Sequence, residues 1–257
     1  MKRLLILPLI LLTGMAAAQQ TSGIITYERK LSLDKKNFEN SNLPVGFTDM
    51  LKEQKSQKVL YFSPDATLYE NGKEQAAEEY SEGNVNVQFK NQEAEEKVFT
   101  DIKNNRKTEQ KDLMGKQFLI ESKLLSSSQW KMTGRQKKIL NMPCMEAVMI
   151  KNDKAIDGVE QPEITAWYTS SIPVSSGPMG MNGLPGMIME LSIGDNLLFT
   201  AVKVDPLDAK KLNHIQAPTK GKKITSEAYH AVAKKKMEEL KRKFGGEGNV
   251  IFKVEQR

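Results

Sequence analysis

Short runs with an apolar residue at every second position constrain this chain more than any other feature. Val85, Val87 and Phe89 alternate with Asn86, Gln88 and Lys90. Ile25, Tyr27, Leu31 and Leu33 share one parity, with Arg29 between them. Further strand-like runs lie at 59–62, 67–69, 98–102, 116–122, 137–140, 145–151, 164–170, 187–191 and 197–204. Such runs, separated by turn signals like Ser63-Pro64-Asp65, predict antiparallel pairing. No long helices alternate with them, as parallel crossovers would require. The expected fold is mainly β (α+β), an antiparallel, curved sheet or half-barrel with a C-terminal amphipathic helix.

Three segments break the pattern. Residues 42–58 read as holding a short helix around Phe47, Met50 and Leu51, and the polar, acidic stretch 70–83 reads as a surface loop. Near the C-terminus, Thr225 or Ser226 can cap a helix over 226–243, whose face includes Tyr229, Val232, Met237 and Leu240. Lys241, Arg242 and Lys243 complement its dipole, and Gly245-Gly246 ends it. Lys234-Lys235-Lys236 reads as its solvated face.

Lys2 and Arg3, an apolar run over 4–12 and Ala16-Ala17-Ala18 have the form of a secretory signal peptide over 1–18, cleaved after Ala18. The run is too short for a permanent membrane helix, and no cysteine follows it to carry a lipid. The expected mature protein is exported, periplasmic or secreted, and without a transmembrane segment. It divides into an antiparallel β domain over 19–218 and a basic helix and tail over 219–257 packed on that domain. Losing Lys2 and Arg3 lowers the formal charge from +6 to +4, too little to argue for nucleic acid. Cys144 is the only cysteine, so no disulfide forms within the chain, and its apolar neighbours predict a buried, inert thiol.

The densest stretch is Gly177-Pro178-Met179-Gly180-Met181-Asn182-Gly183-Leu184-Pro185-Gly186, which leads into the 187–191 strand. Glycine recurs every third residue, but four triplets between strands cannot sustain a collagen helix. The glycines supply positive φ or close backbone approach, and the prolines fix φ. Leu184-Pro185-Gly186 suits a tight turn with Pro second and Gly third. Gly177, Pro178, Gly183, Leu184, Pro185 and Gly186 thus form either a buried structural turn or a loop that touches a ligand. Met179 and Met181 are candidate thioether ligands for Cu(I), against packing as the alternative.

Catalytic signatures are missing from the sequence. His214 and His230 have no HExxH spacing, and there is neither a nucleophile elbow nor a Walker loop. A dyad of Cys144 with either histidine would have to be assembled by the fold. No catalytic residue or cofactor is assigned.

The core Gly183-Leu184-Pro185-Gly186-Met187-Ile188 resembles the signature of the GLPGLI family of exported bacterial proteins. Ala166-Trp167-Tyr168-Thr169 and Ile172-Pro173-Val174 are similar to the strand and turn that precede it. Weaker similarity spans about 23–243, with Met187 standing where the family name has Leu. The resemblance implies export in a double-membraned bacterium and a mainly β fold, and it supplies no catalytic residue. The expectation is a non-enzymatic cell-envelope binding or accessory protein, its partner a small hydrophobic ligand or an envelope protein. Three alternatives stay open: a periplasmic carrier of a hydrophobic ligand on a curved sheet, an envelope enzyme using carboxylates or Cys144, and a Met-based Cu(I) binder.

Overall fold

A computed structural model describes residues 20–32, 53–73, 78–82, 85–89, 95–150 and 162–244. The strands are β1 (Gly23–Ser32), β2 (Glu53–Phe62), β3 (Ala66–Asn71), β4 (Glu78–Glu82), β5 (Val85–Phe89), β6 (Glu96–Asp101), β7 (Arg106–Leu113) and β8 (Lys116–Lys123). Then come β9 (Trp130–Ile139), β10 (Met142–Met149), β11 (Ile164–Thr169), β12 (Met187–Ile193), β13 (Leu197–Asp205) and β14 (Lys222–Thr225). A short helix α1 (Ala209–Leu212) precedes β14, and the long helix α2 (Ser226–Phe244) follows it. Among the described residues twelve strands form one open sheet in the order β14-β8-β7-β6-β3-β2-β1-β13-β12-β11-β10-β9, and β4 and β5 pair separately. Every pairing of named strands is antiparallel except β14 on β8. The fold is the mainly β one expected.

Connection lengths force the curvature. β1 joins two meanders, one outward through β2, β3, β6, β7 and β8, the other returning from β9 to β13. β8 and β9 lie ten strand spacings apart in sheet order, about 48 Å if the sheet were flat. Yet only residues 124–129 join them, and seven steps of extended chain reach about 25 Å. The sheet must therefore wrap until its edges approach, leaving a gap that pairing does not close. Tyr27 marks the enclosed face, its buried hydroxyl donating to the Ile188 carbonyl at 2.7 Å. Around it pack Ile25, Leu60, Phe62, Tyr69, Val98, Met189, Leu191 and Phe199, which are the core.

Several boundaries differ from expectation. Of the segment read as a short helix, 53–58 is the start of β2, and the rest lies outside the described residues. Its Gln54, Ser56 and Lys58 pair with Leu31, Arg29 and Tyr27, an alternation hidden because the enclosed face is polar there. The stretch read as a loop over 70–83 contains the end of β3 and all of β4. β9 begins at Trp130, seven residues before the alternation shows. β7 and β14 have no apolar alternation, so the pattern does not predict them. The helix stands where predicted, Thr225 Oγ1 accepting the Ala228 N–H at 3.2 Å as its cap. The signal peptide lies outside the described residues.

Candidate functional site: a charged cleft behind the glycine loop

The 170–186 connection between β11 and β12 turns inward and fills one end of the enclosed space. Ser176 Oγ meets Thr67 Oγ1 of β3 at 2.9 Å, both buried. Asn182, also buried, accepts the Leu125 N–H at 2.8 Å through its side chain and the Trp130 indole N–H at 2.9 Å through its carbonyl. The loop thus ties the 124–129 bridge to the opposite meander across the gap. A Cβ on Gly180 would lie 2.5 Å from Val98 Cγ1, and one on Gly186 2.2 Å from the Thr169 carbonyl oxygen. Gly186 holds φ 152°, and Leu184 is buried. Glycine is required at 186 on both counts.

The turn differs in detail from the one expected. The Gly186 N–H donates to the Leu184 carbonyl at 2.8 Å, a three-residue turn centred on Pro185 rather than a four-residue one. Pro185 is the exposed tip, while Gly177 and Pro178 are buried. Gly183 holds φ 91°, and its N–H donates to Ser175 Oγ at 2.9 Å. Met179 and Met181 are partly buried and pack against the core. Among the described residues no group of three His, Cys, Asp or Glu could hold a metal.

The other histidine and cysteine candidates stay apart. Cys144 is buried in β10, its thiol 3.5 Å from the Met142 carbonyl and its pKa pushed up by burial. His214 stacks edge-on against Tyr61 of β2 and contacts Glu70 of β3 at 2.7 Å, on the outer face. Four strands separate β2 from β10, so these two form no dyad. His230 lies on α2 beside Tyr229.

Opposite the glycine loop the enclosed face is charged. Register places Tyr27, Lys58 and Asn71 in one row on β1 to β3 and Glu96, Lys111 and Phe118 in one row on β6 to β8, and the β3–β6 register carried one step past Glu70–Lys97 aligns the two. Part of this row, at the strand ends, lines a cleft of about 310 Å³. Arg29 and Lys58 line it from β1 and β2, while Glu95 and Glu96 lie at β6 and Lys111 and Asp112 on β7. Tyr229 of α2 completes the lining and stacks edge-on against Phe118 with centroids 5.6 Å apart. Lys58 is only 4% exposed, and its ammonium donates to Asn71 Oδ1 at 2.6 Å.

Ion pairs link this cleft to the loop. Gly180 approaches the Lys107 side chain. Lys107 pairs with Glu109 at 2.6 Å, Glu109 with Lys111 at 2.8 Å, and Lys111 with Glu96 at 3.8 Å. Burial pushes the Glu109 carboxyl up, but Lys111 and Lys107 outweigh it and hold the group below its ordinary value. Burial likewise pulls Lys111 down, and Glu109 more than restores it, so its ammonium is held above its ordinary value. Burial also raises the Tyr229 phenol, which therefore stays protonated at neutral pH.

None of these cleft residues was a sequence candidate. The available signal was a charge at an inward parity: Arg29 beside Tyr27, and Lys58 ahead of Leu60 and Phe62.

Residues 152–190 match the model of a family described as a protein of unknown function (Porph_ging). The match ends within β12 and includes the whole glycine loop. No curated protein matches. Among solved structures, PNGF-II in two crystal forms is similar at TM-score 0.52. The first is 17% identical over 84% of this chain, the second 16% over 83%. That likeness shows the fold alone, and this chain spans about a third of PNGF-II, 34% and 33% in the two forms. An uncharacterized conserved protein from Thermus thermophilus overlaps 80% of this chain and 91% of its own at TM-score 0.37 and 7% identity, too distant to inform the fold.

Proposed function

We propose that this chain is an exported, non-enzymatic binding protein of the cell envelope that takes a small polar ligand in the charged cleft. The observation that carries the reading is the cleft itself: a concave site of about 310 Å³, charged where a half-wrapped sheet of this kind would otherwise bury apolar side chains. A nearly buried lysine in its wall is costly to maintain for packing alone. A carrier of a hydrophobic ligand calls for an apolar lining, and Met-based copper binding calls for thioethers free of the core. Neither matches this lining or the packing of Met179 and Met181. Export rests on the N-terminal pattern, and GLPGLI-family membership on the signature residues. In the described residues no helix is long and apolar enough to cross a membrane.

Native mass spectrometry of protein purified from its own envelope tests the reading. The expected result is a small polar adduct that disappears in Lys58→Met. A retained lipid or copper ion would overturn it.

A further inference from the structure

We propose that the outer edge of β9 is a docking site for an extended acidic segment of another protein, which adds to the sheet as a further strand beside residues 136–139. The site is separate from the cleft and does not depend on how the cleft is read. The two ends of the sheet are treated differently. β14 covers the β8 edge, whereas β9, ten residues long, ends the strand order and has no pairing partner on its other side among the described residues. The backbone groups along such an edge are a template for an incoming strand.

Burial and charge say what that strand must carry. Residues 131–136 are exposed without a break. Side chains alternate between the two faces of a strand, so both faces are in water here. A strand added alongside is wet on both faces, which suits polar side chains and gives an apolar face nothing to bury. β9 carries Lys131, Arg135, Lys137 and Lys138 and no acidic residue. Of the twelve strands of the sheet, only β9 and β14 hold basic residues without an acidic one, and they are its two edges. Lys137 is engaged, its ammonium 2.7 Å from Glu190 and 4.4 Å from the centre of the Trp167 ring. Arg135 meets Glu146 through Nε, yet its side chain stays 68% exposed. Lys131 and Lys138 have no ion pair among the described residues. Lysines along an edge deter another basic edge, so β9 is guarded against β9 or β14 of a second copy. The same charges favour a strand that bears carboxylates.

The edge is also held in place without a core beneath it. The β9–β10 register shifts between Met145 and Ala147, and Gly134 takes positive φ on the facing strand. Glu146, 3% exposed, sits at this shift and accepts from Thr133 Oγ1 at 2.6 Å and from Arg135 Nε. That carboxylate pins the middle of β9, so little order has to be gained on binding. Past the shift, pairing is regular from Gln136 opposite Met145 to Ile139 opposite Met142. Four residues are the length over which β14 pairs with β8, so this sheet already holds a strand by a stretch of that size.

Fluorescence anisotropy of the intact protein with a labelled peptide of Glu-Thr repeats is the test. A Lys-Thr peptide and a Glu-Thr peptide methylated at every backbone nitrogen run beside it. The methylated peptide keeps its charges and loses the N–H groups that a strand donates. The expected result is binding of the Glu-Thr peptide, at least tenfold weaker binding of the methylated one, and none of the Lys-Thr one. Hydrogen exchange at 136–139 should slow in the complex. Lys138→Glu should weaken binding at least tenfold, while Lys116→Glu, the same charge change on exposed β8 sequence, should leave it within twofold. If Lys138→Glu does not fold, Lys138→Gln takes its place, with a smaller loss in the same direction. Equal binding of the methylated peptide means charge attraction without strand pairing and overturns the proposal. Equal binding of the Lys-Thr peptide, equal effects of the two substitutions, or no binding of the Glu-Thr peptide at millimolar concentration also overturns it. A protein dimer that Lys138→Glu abolishes would assign the edge to a second copy, and overturns it too.

Discussion

Gly186 carries two independent constraints at one position. Its φ of 152° lies where side chains are strained, and its missing Cβ faces a carbonyl oxygen of the neighbouring strand. That oxygen belongs to backbone held in register by β11 and β12, so it cannot step aside. Gly186→Val should therefore cost at least about 1–3 kcal/mol, read as a lower denaturation midpoint in urea. Leu184→Ala, at a position 1% exposed, should cost about 2–5 kcal/mol. Gly134 is the control: its φ is 82°, but nothing lies within 4 Å of an added Cβ, so Gly134→Ala should cost about 1 kcal/mol. Wild-type melting of Gly186→Val would show that the loop yields, and would move the signature from architecture towards ligand contact. The signature was legible in the sequence because its demands are local: glycine and proline act through the φ of their own residue. Its role in tying Trp130 and Leu125 across the gap was not legible, since neither residue is near it in the chain.

At the scale of elements, β7 is the strand that apolar alternation misses. Its enclosed face holds Lys107, Glu109 and Lys111, and its other face the buried Thr108 and Gln110. Alternation is present, but between charge and neutral polarity, so the pattern that reveals β1 and β5 reveals nothing here. The ion-pair ladder replaces hydrophobic packing along this strand, and that makes its contribution depend on pH. Glu109 has a folded pKa below its ordinary 4.5, so its stabilisation is complete above 4.5 and is lost as the pH falls through the lower folded value. Lys111 has a folded pKa above its ordinary 10.5, so its contribution is complete below 10.5 and is lost as the pH rises through the higher folded value. Melting temperature should be highest between these limits and fall at both ends. Glu109→Gln should lower stability at neutral pH by roughly 1–3 kcal/mol, since two lysines lose their shared partner. It should also flatten the acid limb, because the group responsible is gone. An acid limb of unchanged steepness in Glu109→Gln would assign the pH dependence to other carboxylates.

For the whole molecule, the decisive fact is where the chain puts its edges. The wrap brings together residues that the sequence separates widely, which is why the cleft could not be read in advance: Arg29, Lys58, Glu96, Lys111 and Tyr229 meet only through the order β7-β6-β3-β2-β1 and the placement of α2. After β13 the chain must pass five strands to reach β8, and His214 on Tyr61 and Glu70 shows that it does so over the outer face. It then lays β14 parallel along β8 and sets Tyr229 of α2 on Phe118. A parallel edge strand with four paired residues adds few hydrogen bonds of its own. Its larger effect is to cover the β8 backbone, which would otherwise present an open template for another chain. Truncation after Gly221 removes β14, α2 and the tyrosine that closes the cleft. The truncated protein should melt lower, self-associate through the bare β8 edge, and lose the small polar adduct expected in the cleft. Size-exclusion chromatography with light scattering reads the association, and native mass spectrometry reads the adduct. A truncated protein that stays monomeric and retains the adduct like the full chain would mean that the C-terminal helix neither guards the edge nor completes the cleft.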